Sequence, residues 1–135
     1  MASELRVNTL KDASGNNSIA TSFVASGSAK AWCAFNTVTT HSTFDSFNTS
    51  GLTDNGSGDT TISYTNSMAT AKSYTVTGVG ADASDVTNFI YASQPKQDDS
   101  VATGSVRVVH KYVGASSAGI SDIAYVCNVI HGDLA

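Results

Sequence analysis

The sequence predicts an all-β fold, an antiparallel β-sandwich of about seven or eight short strands with an N-terminal arm that carries one short helix. Turn residues recur at short intervals between strand-like segments, a spacing typical of all-β domains. No strand–helix–strand alternation is present, which argues against a parallel sheet. The 135 residues include 20 Ser, 16 Thr and 11 Gly, and Thr favours strands while Ser and Gly favour turns.

The first 28 residues form the predicted arm. Alternating apolar residues over Leu5–Leu10 predict a short strand, and the polar run Lys11–Asn17 predicts a turn. A short amphipathic helix is predicted to begin at Ser18 and to end at Gly27. So small a unit cannot bury its own apolar side chains, so we expect another part of the assembly to cover them. The predicted assembly interface is Leu5, Val7, Leu10, Ile19, Phe23 and Val24.

Residues 29–135 form the predicted β-sandwich domain. Its strongest local signal is Asp54–Asp59, where Asn-Gly and Ser-Gly lie between two strand-like runs and predict a hairpin. Phe44 and Phe47 are three residues apart within one strand-like run, so we expect a β-bulge near Asp45. The ten aromatic residues at strand positions are predicted to lie mainly in the core. They are Trp32, Phe35, Phe44, Phe47, Tyr64, Tyr74, Phe89, Tyr91, Tyr112 and Tyr125.

The second half of the chain is predicted to alternate between strands and loops. Ala92–Ser100 contains the only proline, Pro95, and is predicted to be an exposed loop. Gly114–Ser121 is also predicted to be a loop. The predicted strands are Ser73–Val79, Val86–Tyr91, Val101–Tyr112 and Ile123–His131, the last with Ile123, Tyr125, Cys127 and Val129 on one side.

Charge and composition narrow the class of partner. Only 13% of the residues are charged, about half of the usual ~25%. The net charge is −4 and the seven basic residues are scattered, so no nucleic-acid footprint is predicted. No long apolar run or polybasic cluster predicts a membrane contact, and no secretion signal is recognised. We therefore expect synthesis in a cytosol, with Cys33 and Cys127 reduced.

No catalytic, cofactor-binding or metal-binding residues are predicted. His41, His110 and His131 lack the spacing of a local metal site, and we expect ordinary hydrogen bonds for them. No Gly-x-Ser-x-Gly motif is present. Carboxylates in the turns, such as Asp54 and Asp59, leave a calcium site or a glycosidase-type pair as a minor alternative.

Several segments of the chain resemble small tail-fibre-like virion proteins of marine bacteriophages. The resemblance covers roughly the first half of the chain and its last residues, and residues 67–121 carry none of it. The matching segments are Ser3–Leu10, Asp12–Asn17, Ala29–Trp32, Phe35–Asn36, Asp45–Asn48, Leu52–Asp59, Ile62–Thr65 and Val129–Asp133.

The resemblance implies a virion structural protein without enzymatic residues. On this basis we expect a tail-fibre-like appendage module in the virion, assembled in the host cytoplasm. It would be a homo-oligomer, with three copies as the favoured state, that contacts other tail or capsid proteins. The displayed domain could contact a host surface glycan. Two alternatives stay open: a capsid decoration or head-fibre protein, and a carbohydrate-binding domain.

Overall fold

The computed structural model describes residues 6–15, 18–81, 89–114 and 117–135. Within them lie one α-helix, α1 (Thr21–Gly27), and a single 3₁₀ turn at Asp98–Ser100. The strands are β1 (Thr9–Leu10), β2 (Ile19–Ala20), β3 (Ala29–Asn36), β4 (Ser42–Phe47), β5 (Thr49–Asp54), β6 (Asp59–Tyr64), β7 (Thr75–Ala81), β8 (Phe89–Pro95), β9 (Ser105–Gly114), β10 (Ala118–Ile120) and β11 (Tyr125–His131). The predicted all-β class with one short helix is confirmed.

Eight of these strands form one continuous, nearly closed antiparallel sheet. Its order is β4-β3-β11-β7-β8-β9-β6-β5, and β10 pairs with β9 outside this path. The two strands at the ends of the order, β4 and β5, are consecutive in the chain. The chain itself therefore joins the two edges of the sheet.

Asn48 makes the corner between β4 and β5. It has a positive φ of 54°, a conformation that Asn tolerates better than most residues. Its Nδ2 donates to the carbonyl oxygens of Lys30 and Asn66, both at 3.0 Å, and its Oδ1 accepts from the Asn66 backbone N–H at 2.7 Å. One side chain thus ties three segments together where the sheet closes.

The core lies inside the nearly closed sheet and follows the two-residue period of the strands. β9 contributes Val106 and Val108, and β11 contributes Val126 and Ile130; all four are fully buried. Each buried aliphatic side chain of this size contributes about 1.5–3 kcal/mol relative to an exposed one. The remaining members of the main cluster are Ala31, Cys33, Phe35, Ile62, Tyr64, Met68, Tyr74 and Ile123.

The hairpin predicted at Asp54–Asp59 is confirmed. The loop between β5 and β6 has Gly56 at φ 117° and Gly58 at φ 63°, which glycine adopts without a steric cost. The bulge is also confirmed: Ala34 pairs with Asp45 and Phe35 pairs with Thr43, so Phe44 is the extra residue on β4.

Several predicted boundaries are wrong. The strand predicted from Val101 begins only at Ser105. β8 continues through Pro95, which pairs with Val108, so the first part of the predicted 92–100 loop is a strand. Gly114–Ser121 contains the short strand β10. The helix of the arm begins at Thr21, because the preceding Ile19–Ala20 pairs with β1. The start of the predicted strand Val86–Tyr91 lies outside the described residues.

Candidate assembly interface

The arm folds into a small unit with its own two-stranded sheet. Leu10 pairs with Ile19 across β1 and β2. Thr21 fixes the start of α1, because its backbone N–H donates to the Asn8 carbonyl oxygen at 3.0 Å and its hydroxyl donates to Val7 and Asn8 carbonyl oxygens at 3.2 Å. The two predicted apolar segments of the arm are therefore brought together.

The predicted interface residues are exposed in the isolated chain. Leu5 lies outside the described residues. The other five keep between 39% and 71% of their surface exposed, and Phe23 is the most exposed of them. No residue of α1 is buried. The arm thus presents its apolar side chains to solvent and does not pack them against its own β-domain.

The arm is attached to the β-domain at the C-terminal end of α1. Lys30 Nζ donates to the Ala25 carbonyl oxygen and, at 2.6 Å, to the Ser28 hydroxyl. His131 Nδ1 donates to the Gly27 carbonyl oxygen at 3.2 Å. Beside this attachment lies an open groove of about 510 Å³, with Ser26 on the arm side and Thr75 on the β-domain side.

A second apolar surface, which sequence reasoning missed, lies on the outside of the sheet. Phe47 pairs with Trp32, and Trp32 pairs with Val129; in the next row Ala34 pairs with Cys127, and Cys127 pairs with Val79. The rings of Phe44 and Tyr125 stack with centroids 6.0 Å apart. We call this surface the outer apolar face; its members are Trp32, Ala34, Phe44, Phe47, Val79, Tyr125, Cys127 and Val129.

The outer apolar face corrects the expectation that strand aromatics lie mainly in the core. Phe35, Tyr64 and Tyr74 are buried, but Phe44, Phe47 and Tyr125 are 43–59% exposed. The sequence did show that Tyr125, Cys127 and Val129 share one side of β11. It could not show that this side faces outward, because the opposite side of β11 is equally apolar apart from Asn128.

A chain of polar side chains runs through the interior. The Thr60 hydroxyl lies 2.9 Å from His110 Nε2 and 2.8 Å from His41 Nε2. His110 Nδ1 lies 3.2 Å from the Ser93 hydroxyl. A hydroxyl can donate one hydrogen bond and accept another, so Thr60 can satisfy both imidazoles. This chain links β6, β8 and β9 with the segment before β4.

The interior chain is closed to substrates in this structure. His110 and Thr60 are fully buried and Ser93 is 4% exposed. Burial, together with the nearby His41, lowers the pKa of His110 to about 4, so the imidazole is neutral at ordinary pH. The Ser93–His110 contact therefore holds neighbouring strands together and does not present an accessible nucleophile.

Asp59 is held by two basic side chains, Arg107 and Lys96. Its carboxylate accepts from Arg107 Nε at 2.7 Å, from Arg107 Nη2 at 2.9 Å and from Lys96 Nζ at 2.6 Å. The hydrogen bonds from Arg107 are the main reason why the pKa of Asp59 is lowered. This carboxylate, which begins β6, is thus engaged within the fold.

The other turn carboxylates also have local partners. Asp54 Oδ1 accepts from the Gly56 backbone N–H at 2.8 Å, and Asp98 pairs with Lys72 at 2.9 Å. Among the described residues no group of three His, Cys, Asp or Glu side chains could hold a metal ion. Asp82 and Asp85 lie outside those residues.

The two cysteines are free. Cys33 pairs with Asn128, the residue next to Cys127, so the two thiols point to opposite faces of the sheet. Burial raises the pKa of Cys33 to about 11, which makes it unreactive at neutral pH. Cys127 lies on the outer apolar face and is partly exposed.

No helix in the described parts of the chain is long and apolar enough to cross a membrane. Comparison with known proteins identified no matching family model, no matching curated protein and no matching solved structure.

Proposed function

We propose that this chain is a non-enzymatic structural protein of a bacteriophage virion. In this proposal it is a tail-fibre-like appendage module that forms a homotrimer through its N-terminal arm and displays the β-domain outward, where it can contact the host. The resemblance of the sequence to tail-fibre-like proteins supports the virion role. The exposed apolar side chains of the arm support the assembly role.

The exposure of the arm is the observation that carries the proposal. A small domain gains stability by burying apolar surface, yet Phe23 and its neighbours remain outside the core. Contiguous exposed apolar surface on a soluble protein commonly marks an interaction site. Self-association is the simplest way to cover the same surface on every copy.

Two alternative functions use the same features differently. A capsid decoration or head-fibre protein would use the arm to bind the head lattice. A carbohydrate-binding domain is favoured by one observation, the exposed aromatic rings of Phe44, Phe47 and Tyr125. Imaging of intact particles that carry a labelled copy of this protein separates tail from head. Absence of the protein from purified particles contradicts the virion role.

Deletion of residues 1–28 tests the assembly role. We expect the full-length chain to form an oligomer in light scattering and the truncated chain to be a monomer with an unchanged far-ultraviolet circular dichroism signal from its strands. The β-domain should keep its fold because none of the described arm residues, 6–15 and 18–28, belongs to its core cluster.

A point substitution provides a milder version of the same test. Phe23→Ser should weaken the oligomer, whereas Ser22→Ala, at the neighbouring exposed position, should leave it unchanged. A full-length chain that is monomeric at every concentration measured would contradict the assembly role.

A further inference from the structure

We infer that the outer apolar face is the docking site for the N-terminal arm of a second copy of this chain. This inference rests on the proposed self-association and names the two surfaces that meet. The assembly would then be an arm exchange, in which each copy gives its arm to one neighbour and receives the arm of another.

The outer apolar face lacks the polar character of a solvated sheet surface. Antiparallel sheets with one solvated face normally alternate apolar and polar residues. Here both sides of β3 and β11 are largely apolar, and four strands contribute to the outward patch. Its polar members are Asp45, which pairs with Ala34 on the edge strand β4, and Thr77, which pairs with Val129; Lys30 lies at the start of β3. A face of this kind is suited to an uncharged apolar partner.

The arm has the matching chemistry. α1 carries no acidic residue in its first turn and no basic residue in its last turn. Its apolar side chains Phe23 and Val24 are exposed, and so are Leu10 and Ile19, which pair across the small sheet of the same arm. α1 itself carries no charged side chain. On the face, the charge of Asp45 lies on the edge strand β4, where it can keep contact with water when the two surfaces meet.

The dimensions of the two surfaces also agree. The face extends along β11 from Tyr125 to Val129, about 13 Å at strand spacing. The seven residues of α1 span about 10 Å. The helix can therefore lie along the face with both of its turns in contact.

The exposed area fits a small contact that is repeated around a ring. From their exposed fractions and about 200 Å² for a whole aromatic side chain, the arm and the face each expose roughly 400 Å² of apolar side chain. Each arm-to-face contact therefore buries about 800 Å² in total, about half of the ~1,600 Å² of a standard stable interface. In a closed ring every copy takes part in two such contacts, one through its arm and one through its face.

The arm does not cover the face of its own copy. Lys30 and His131 hold the C-terminal end of α1 at one end of the face, and Phe23 stays 71% exposed there. To fold back onto its own face, α1 would have to break both attachments. The face of a neighbouring copy can be reached with the attachments intact. Such a head-to-tail contact closes into a ring when the rotation permits.

Cys127 makes the inference directly testable, because it is a partly exposed thiol in the middle of the face. The variant Phe23→Cys places a second thiol on the arm. Under mild oxidation with copper phenanthroline we expect disulfide-linked dimers and a ladder of higher species in denaturing gels. Adding Cys127→Ser to this variant should abolish them. Ala25→Cys, on the opposite side of α1, is the matched control and should cross-link at least about tenfold less, as expected for a thiol that faces away from its partner.

A valine pair provides a second, independent test. Val79 lies within the face and is 59% exposed, whereas Val113 lies outside it on β9 and is 53% exposed. Val79→Ser should raise the dissociation constant of the oligomer at least about tenfold, as expected when an interface loses a large apolar contact. Val113→Ser should change it by less than about twofold.

The outcomes separate this inference from the proposed function. If the full-length chain is monomeric, both fail. An oligomer that cross-links equally through the Ala25 and Phe23 positions, or is insensitive to Val79→Ser, overturns the arm exchange but not the assembly role. A disulfide formed only within one chain also overturns it. Glycan binding that Val79→Ser abolishes, with an unchanged oligomer, would reassign the face to a sugar.

Discussion

The substitution Gly78→Ala is expected to destabilise the protein by about 3 kcal/mol or more, at the upper end of overpacking effects. A Cβ atom at Gly78 would lie 2.2 Å from Asn128 Oδ1, 2.7 Å from the Ser93 carbonyl oxygen and 2.8 Å from Ser93 Cβ. The carbonyl belongs to the neighbouring strand β8, which pairs with Gly78. Relief of the clash therefore requires the strands to separate. Urea unfolding measures the effect.

Gly51→Ala is the matched control for this substitution. Gly51 also lies in a strand, and a Cβ there meets no atom within 4 Å. We expect its stability to stay within about 0.5 kcal/mol of the parent, as for a surface substitution. Equal effects at the two positions would show that the close approach of β7, β8 and β11 at Gly78 is not present in solution.

Lowering the pH from 7 to 4 is expected to remove about 3 kcal/mol of stability through His110 alone. The pKa of His110 is lowered to about 4 in the folded protein, against ~6.5 in an unfolded chain. Between these values the unfolded chain binds a proton that the folded chain excludes, so stability falls as the pH falls. The stability that neutral His110 contributes is fully present above pH ~6.5 and fully lost below about pH 4.

Other titratable groups lie near His110, and their effects on the pH dependence of stability have to be separated from its own. His41 faces it through Thr60, and the carboxylates of Asp59 and Asp122 exert opposing, smaller effects on its pKa. The pKa of Asp59 is itself lowered. The stability that ionised Asp59 contributes is therefore lost only when the pH falls below the ordinary carboxylate range, and not between pH 6.5 and 5. The loss of stability from pH 6.5 to 5 therefore reports mainly on histidine.

Two measurements check the histidine prediction. Urea unfolding of the parent should show a falling midpoint from pH 7 to 4, and His110→Gln should flatten that dependence. Proton NMR of the folded protein should show the His110 ring signals unchanged between pH 7 and 5. A ring that titrates near pH 6.5 in the folded state would contradict the burial of His110.

The predictable features were those decided by neighbouring residues. The hairpin at Asp54–Asp59 depends on glycines at positive φ, and the β4 bulge depends on two phenylalanines spaced three apart. Both are local, so composition and spacing were enough. The turn and helix of the arm were found for the same reason, although the start of the helix moved because β1 and β2 pair.

The wrong predictions concern residues whose structure depends on contacts with strands that are distant in the sequence. Pro95 marked a loop, yet β8 continues to it because β9 pairs along its whole length and the Lys96 backbone N–H donates to the Arg107 carbonyl oxygen. Ser93 lies in the segment that was predicted to be an exposed loop, but it is buried. Its hydrogen bond with His110 on β9 offsets the free-energy cost of burying the hydroxyl. No local pattern contains these contacts.

The sequence by itself determined the all-β class, the hairpin and bulge positions and the apolar arm, because each follows from residue chemistry within a few positions. Only the tertiary structure decided the order of the strands, the closure at Asn48 and which apolar side of β3 and β11 faces outward. When a strand is apolar on both sides, its sequence does not show which side faces the core, and the pairing with neighbouring strands decides it. The arm is therefore visible in the sequence, whereas the face that we propose receives it appears only once the sheet has closed.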